Sequence, residues 1–333
     1  MTVQTMAGFD SSLPDGADEA RRLIDVRLAA ARVAARDINI FEFARVDGGN
    51  LPPAEAGAHI DLHLPNGLVR QYSLIPSNSA PSTYCIGVKH DRSGRGGSRF
   101  MHQALAVGTQ LRIGGPRNHF PLVETAGPVV LIAGGIGITP IWAMVQSLRL
   151  TRRPWQMFYS VRARLDALFA PELSELEQVH LHIDEDNGNR LMDIAALVAC
   201  APKTAHLYCC GPVPMLDAFA AATRGWPPGQ IHVEHFSGAS PEIAHDAFVV
   251  ELSRSGREVS IPSGVTILQA LRAAGLDVES SCEAGVCGAC ETRVLLGIPD
   301  HRDVVLTDAE HAANDRMMIC CSGSKSSRLV LDL

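Results

Sequence analysis

The chain has no surplus of basic residues. Its 29 Lys and Arg against 36 Asp and Glu give a net charge of −7 and a pI near 6.0. Without a basic stripe to neutralise phosphates, general affinity for nucleic acid is excluded. The first twenty residues, MTVQTMAGFDSSLPDGADEA, lack the positive and apolar regions of a secretory leader and read as a soluble, poorly ordered tail. An even set of closely spaced cysteines is missing too. The nine present stand at 85, 200, 209, 210, 282, 287, 290, 320 and 321, a poor disulfide framework for 333 residues, so reduced thiols in the cytoplasm are expected. Metal-like histidine spacing and H-E-x-x-H are lacking, which leaves His119, His301 and the others as structural or solvent-facing. No Ser-His-Asp set, paired carboxylates, internal repeat or low-complexity run can be argued.

What is present is a chain long enough for two or three domains and 46% hydrophobic. The run PVVLIAGGIGITPIWAMVQ (128–146) is apolar enough to raise a membrane span. Its Gly134, Gly135, Gly137 and Pro140 favour a buried strand turning tightly into a helix, so no membrane partner is expected.

The order along the chain is a multidomain one. Residues 21–125 contain short strand-like runs, HIDLHLP, RQYSLIP and TYCIGVKHD, which predict an antiparallel β-barrel. From 126 to 236, apolar strands (VVLIAG, QMFYSV, LHID, HLYCCG) alternate with helical segments (PIWAMVQSLRL, PMLDAFAAATR), the pattern of an α/β parallel sheet. SGASPEIAHD (237–246) reads as a linker. The last part, 247–333, opens with two strand-like runs about Gly256 and an amphipathic helix stopped by Gly275. It holds twelve acidic and eight basic residues, a net of −4.

Within it, Cys282, Cys287, Cys290 and Cys320 form C-x4-C-x2-C-x29-C, the plant-type [2Fe-2S] spacing. Ala284, Gly285, Gly288 and Ala289 between them let the backbone close around a cluster and aim N–H groups at its sulfurs. Structural zinc is the alternative, although its knuckles space cysteines in two close pairs. Cys320 and Cys321 compete for the fourth place.

SCEAGVCGACETRVLLGIPDHRDVVLTDAEH and the ending MMICCSGSKSSRLVLDL resemble the ferredoxin domain of the phthalate dioxygenase reductase and vanillate demethylase reductase family, and the chain after the tail can be laid against that family. The resemblance selects Cys320 as ligand and implies an α+β plant-type ferredoxin domain at 247–333, an NAD-binding domain at 126–236 and a flavin-binding barrel at 21–125. It implies FMN, with FAD as the alternative, and NADH. Arg162 and Arg164 leave a 2′-phosphate conceivable.

Residue by residue, the resemblance puts Arg70 near the flavin phosphate, Tyr72 against the flavin and Ser73 at its reactive edge, within Arg70-Gln71-Tyr72-Ser73. Strand alternation sets Arg70 and Tyr72 on one face and Gln71 and Ser73 on the other. Val88 and Lys89 fall where the family contacts FMN. Gly96 and Gly97 expose amides, and Ser98 opens a short helix suited to a phosphate. Gly134, Gly135 and Gly137 with Thr139 as N-cap and Pro140 at the first helical position would receive the dinucleotide's phosphates. Cys210, followed by Gly211 and Pro212, resembles the nicotinamide-side cysteine, and Glu234 and Phe236 fall where relatives close over the ring. Ser73, Thr139 and Cys210 are thus the expected catalytic residues.

A hydride donor and a one-electron cluster need an intermediary, and a flavin is one. The expected activity is an NADH-dependent reductase that feeds a Rieske-type terminal oxygenase acting on an aromatic compound. A plant-type cluster near about −400 mV delivers downhill to a Rieske centre at roughly −150 mV or above. A cytochrome or separate ferredoxin as acceptor, and a zinc-stabilised binding module without activity, are the rival readings.

Overall fold

The computed structural model describes residues 23–76, 82–125, 127–236 and 245–333. The expected tail and residues 237–244 of the expected linker lie outside the described residues.

Six antiparallel strands, β1 (Ile24–Ala35), β2 (Ile38–Arg45), β3 (His59–His63), β4 (Val69–Ile75), β5 (Thr83–Lys89) and β6 (Gln110–Ile113), close a barrel in the order β1-β2-β5-β4-β3-β6. Alternation fills its interior: Val26, Leu28, Phe41, Phe43, Ile60, Leu62, Ile86 and Val88 point inward and pack with Met101 of the short helix α1 (Gly97–Gln103). Asp37 makes the β1–β2 turn at φ 59, a conformation Asp tolerates better than most residues.

The second layer is a parallel sheet of β7 (Val129–Gly134), β8 (Trp155–Val161), β9 (Val179–Ile183), β10 (His206–Cys210) and β11 (Ile231–Glu234) in the order β11-β10-β7-β8-β9. Helices α2 (Ile138–Arg149), α3 (Ala170–Ser174), α4 (Ile194–Cys200) and α5 (Val213–Ala222) connect these strands. All six residues of β7 are buried, as a central strand covered on both faces requires. One apolar cluster joins this sheet to the barrel, bringing Ile38, Ile40, Ile75 and Cys85 together with Leu131, Ile138 and Tyr159.

The chain then builds a mixed sheet of β12 (Phe248–Leu252), β13 (Arg257–Ile261), β14 (Glu291–Leu296), β16 (Arg316–Met318) and β18 (Arg328–Leu331), ordered β13-β12-β18-β14-β16, beside the pair β15 (Pro299–Asp300) and β17 (Gly323–Ser324). Helix α6 (Ile267–Ala273) starts at a Thr266–Gln269 capping box and stops before Gly275 at φ +80; α7 (Asp308–Ala313) starts at a Thr307–Glu310 box. The expected barrel, parallel sheet and ferredoxin-like domain are all present.

The run at 128–146 is a strand, a tight turn and a helix, and among the described residues no helix is long and apolar enough to cross a membrane. One local expectation is corrected. Thr139 is not the N-cap: a 3-10 turn at Gly135–Gly137, begun by Gly135 at φ +53, makes the backbone helical earlier, and Gly137 caps α2. Pro140 is consequently third in the helix rather than first. The Thr139 hydroxyl donates to the Ile136 carbonyl at 3.1 Å.

Candidate functional site

Barrel, parallel sheet and ferredoxin-like domain meet around one cavity of about 740 Å³. Arg70, Gln71, Tyr72 and Ser73 of β4 form one wall, Gly87 and Lys89 of β5 with Gly97 and Ser98 a second, and Ile136 and Thr139 a third. Glu234, the last residue of β11, with His235 and Phe236 just after it, completes it, and Cys282 to Ala284 reach it from the ferredoxin-like side. A hollow of about 840 Å³ elsewhere, lined by Val129 and Trp155 at the starting ends of β7 and β8, lies away from the carboxyl ends where parallel sheets bind ligands.

Local chemistry explains the walls. In β5 the even positions Tyr84, Ile86 and Val88 fill the barrel, so Gly87 and Lys89 face outward. Val88, which the resemblance sets near the flavin, turns its side chain into the barrel core, where it is 1% exposed, and its carbonyl accepts from His102 Nε2 at 2.9 Å. Gly97 is glycine for space, since a Cβ there would lie 2.7 Å from Arg70 Cγ. Arg70 donates to the Val69 carbonyl at 2.7 Å and the Arg95 carbonyl at 2.9 Å, and Arg95 in turn donates to the Cys282 carbonyl at 3.1 Å. Ser98 Oγ accepts from the Asp91 amide at 3.1 Å, and Gly96 at φ +87 caps α1.

The turns after β7 and β10 touch. A Cβ at Gly137 would stand 2.2 Å from the Cys210 carbonyl oxygen, and one at Gly134 2.6 Å from Pro212 Cδ. Only glycine permits this approach, with Gly211 packed on Gly134 beside Met215. Alternation splits the vicinal cysteines of β10: Cys209 enters the core facing α4 and α5, and Cys210 the opposite face. Cys210 is fully buried behind the cavity wall, its Sγ 3.9 Å from Glu234 Oε2. Glu234 keeps some surface toward the cavity while protein surrounds it; burial pushes its carboxyl up to about 8, and contacts with Cys210 and Ser73 only partly offset this. Burial, helped by Arg117 and His119, holds His59 on the cavity wall neutral, down at about 3.

The four cysteines converge as two pairs. Cys282 stands against Cys287 and Cys290 against Cys320. Cys321 instead turns its thiol toward the Met318 carbonyl, 3.7 Å away, packed under Gly285. Cys282 Sγ accepts the amides of Ala284 at 3.3 Å and Val286 at 3.4 Å, and Cys287 Sγ that of Cys282 at 3.5 Å. The thiol of Cys287 is pushed well up by Cys282 and by burial, and that of Cys290 by Cys320 and by burial. Four buried thiols so disposed ionise together only around cations, and the donor set fits an iron–sulfur centre.

Residues 250–324 match the family profile of the 2Fe-2S iron-sulfur cluster binding domain, and 131–221 that of the oxidoreductase NAD-binding domain. Phenoxybenzoate dioxygenase subunit beta of Ectopseudomonas oleovorans is 49% identical over 93% of this chain and 97% of its own. The solved structure of phthalate dioxygenase reductase, described as modular for electron transfer from pyridine nucleotides to [2Fe-2S], is 38% identical with a TM-score of 0.70, covering 93% of this chain and 98% of that one. The chain belongs to the phthalate dioxygenase reductase family. An intact type IV self-sufficient cytochrome P450 monooxygenase is also similar, 40% identical with a TM-score of 0.85 over 93% of this chain, which spans 41% of that longer protein.

As a family member it is an NADH-dependent flavin/iron–sulfur oxidoreductase. The cavity brings together Arg70, Gln71, Tyr72, Ser73, Lys89, Gly97, Ser98, Thr139 and Phe236 of the residues singled out from sequence; Gly134, Gly137, Cys210, Gly211 and Pro212 stand behind its sheet wall. Sequence reasoning missed the polar bridge that ties the two halves of this reductase together. Asp61, buried in β3, receives Arg117 at 2.6 Å, Gln71 at 2.7 Å and the Ser281 hydroxyl at 2.8 Å, and Gln71 also bonds Ser281. Burial alone would raise the Asp61 carboxyl, but Arg117 and these donors outweigh it and hold it below its usual range. The available signal was an acid inside the otherwise apolar strand HIDLH.

Proposed function

We propose that this reductase carries electrons from NADH through FMN to a [2Fe-2S] cluster and on to the terminal oxygenase of an aromatic-compound system, of the Rieske type. The observation that carries the reading is that Cys282 lines the same cavity as Arg70–Ser73 and Thr139. A hydride-binding wall and a cluster ligand then face one bound molecule. A flavin supplies, when bound, the exchange between a two-electron donor and a one-electron acceptor.

The residues divide the work. Arg70, Ser98 and the amides around Gly96 and Gly97 hold the phosphate; Arg95, bridging from the Arg70 side to Cys282, closes that end, which favours a terminal phosphate over a continuing dinucleotide. Tyr72 would pack against the flavin, Ser73 and Glu234 would stand at its reactive edge, and Phe236, 42% exposed on the cavity rim, would shield it from water. Gln71 and Lys89 would hydrogen-bond the flavin's polar rim, and Val88 would contribute only through its main chain. The turns Gly134–Gly135–Gly137 and Gly211–Pro212, with Thr139, Pro140 and Cys210, seat the dinucleotide at the carboxyl ends of β7 and β10. Cys282, Cys287, Cys290 and Cys320 hold the cluster. Glu234, neutral at pH 7, keeps a proton beside the cavity.

Delivery to a cytochrome is the second reading, favoured by the similarity to the self-sufficient P450. Chromatography of the released flavin, followed by anaerobic NADH reduction with either a purified Rieske oxygenase or a P450 as acceptor, tests both. FMN with preferential reduction of the oxygenase is expected; FAD, or a preference for the P450, would overturn the corresponding part.

A further inference from the structure

Beside the cysteine loop three side chains converge that the electron route does not use. The chain leaves β15 at Asp300, turns through 301–306 and enters α7 at the Thr307 capping box, which carries His311 back over the turn. The Asp303 side chain is fully buried, and its Oδ2 accepts the amides of Leu306 at 2.9 Å and Val305 at 3.2 Å. Two imidazoles face the same carboxylate. His311 Nε2 is 3.3 Å from Oδ2 and 3.4 Å from Oδ1, and His301 Nδ1 is 3.8 Å from Oδ1.

One ligand atom from each residue lies within 4.8 Å of the others. The His311–Asp303 separations are long for hydrogen bonds, yet close to the roughly 3.3–3.5 Å that separates neighbouring ligands when each sits about 2.0–2.1 Å from one tetrahedral ion, and His301 stands a little farther out. The His301 side chain is only 8% exposed, and its ring meets the Asn314 side chain without good hydrogen-bond geometry, so at least one ring nitrogen is buried unsatisfied, an arrangement native proteins avoid unless something absent from the protein satisfies it. Burial favours its neutral, ligating form. The Asp303 charge draws a cation in, with Lys325 the opposing charge felt at His301.

We propose that His301, Asp303 and His311 bind one divalent ion of the zinc class. Two imidazoles with one carboxylate suit Zn²⁺ rather than Mg²⁺ or Ca²⁺, and His311, 28% exposed, marks the entry side where water completes the shell. The ion ties the 301–303 turn to α7. The same turn braces the cluster loop: the Val304 amide donates to the Gly285 carbonyl at 3.0 Å, and a Cβ at Gly285 would lie 3.0 Å from Asp303 Cα. Occupancy therefore slows loss of the iron–sulfur centre.

The test uses the flavin- and cluster-loaded protein, dialysed against buffered Zn²⁺ and assayed for zinc by mass spectrometry, with X-ray absorption to identify ligands. One zinc per chain in a nitrogen and oxygen shell, with visible absorption of the cluster unchanged and affinity at least tenfold weaker in His311→Gln and His301→Gln, is expected. His311→Gln leaves the Thr307–Glu310 cap and the buried carboxylate in place, so it separates binding from folding. No zinc uptake, equal uptake by both variants, or a sulfur shell with bleaching of the cluster overturns the site.

Discussion

The cysteine loop and the cavity beside it are built in opposite ways. Three of the four cysteines lie within nine residues, 282–290, and only Cys320 comes from afar. The cavity instead draws its walls from strands β3, β4 and β5, from α1, from the turn after β7, from the end of β11 and from the cysteine loop itself. A site made by one loop depends on every ligand, whereas a site shared among segments spreads its dependence over many contacts. The four thiols accordingly act as a unit, and the cavity should respond by degrees.

The largest contrast is expected from Cys290→Ser, which removes the thiol facing Cys320. Reduction of cytochrome c as surrogate acceptor should fall by about two orders of magnitude or more, because no second carrier replaces the cluster. Flavin reduction by NADH should persist in stopped-flow measurements. Undiminished delivery by that variant would break the proposed route.

Gly137→Ala comes next and strikes the assembled site. Its Cβ meets the Cys210 carbonyl oxygen at 2.2 Å, so the two dinucleotide turns must separate. A loss of about 1–3 kcal/mol in stability is expected from the overpacking, seen as a lower Tm, with slower flavin reduction by NADH while the cluster spectrum is retained.

Ser281→Ala acts where the two regions join. It removes the hydroxyl shared by Asp61 and Gln71 without touching a cysteine. Both chromophores should stay bound, and flavin-to-cluster transfer should slow only a few-fold, read from the lag between the two absorbance phases. A change confined to flavin content would mean that the bridge shapes the cavity and not the coupling.

The last effect, on stability alone, is a pH dependence. Glu234 has its carboxyl raised in the fold from the ordinary 4.5 to about 8, so the stability this gives is fully present below about 4.5 and lost as pH rises through 8. In flavin-free protein the urea midpoint should decline across that window, and Glu234→Gln should flatten the decline. Identical profiles would place the proton elsewhere.

These effects follow the same division that governs what the sequence reveals. The C-x4-C-x2-C spacing, the strand VVLIAG and the glycine turns are local and could be read directly. Cys320 against Cys321 could not, because which of two adjacent thiols faces Cys290 depends on the bend after Met318; the family resemblance supplied the choice. Val88 and Lys89 are neighbours in β5, and alternation turns only the Lys89 side chain to the cavity, which leaves Val88 its main chain to offer there. Thr139 looked like an N-cap because the 3-10 turn before it leaves no mark beyond glycine. Asp61–Ser281 and His301–Asp303–His311 depend on how distant segments or a turn and a helix fold back, and neither spacing matches a known motif. Parallel pairing of β12 with β18, which joins Val249 to Arg328, is equally silent in the local pattern.

The central claim is that electrons from NADH reach the four-cysteine site through the shared cavity. The most direct measurement is low-temperature electron paramagnetic resonance of the protein frozen after anaerobic NADH. One reduced [2Fe-2S] signal per chain, absent from Cys290→Ser although its flavin bleaches, is the predicted result. A fully bleached flavin beside a cluster that stays oxidised in the native protein would contradict the account.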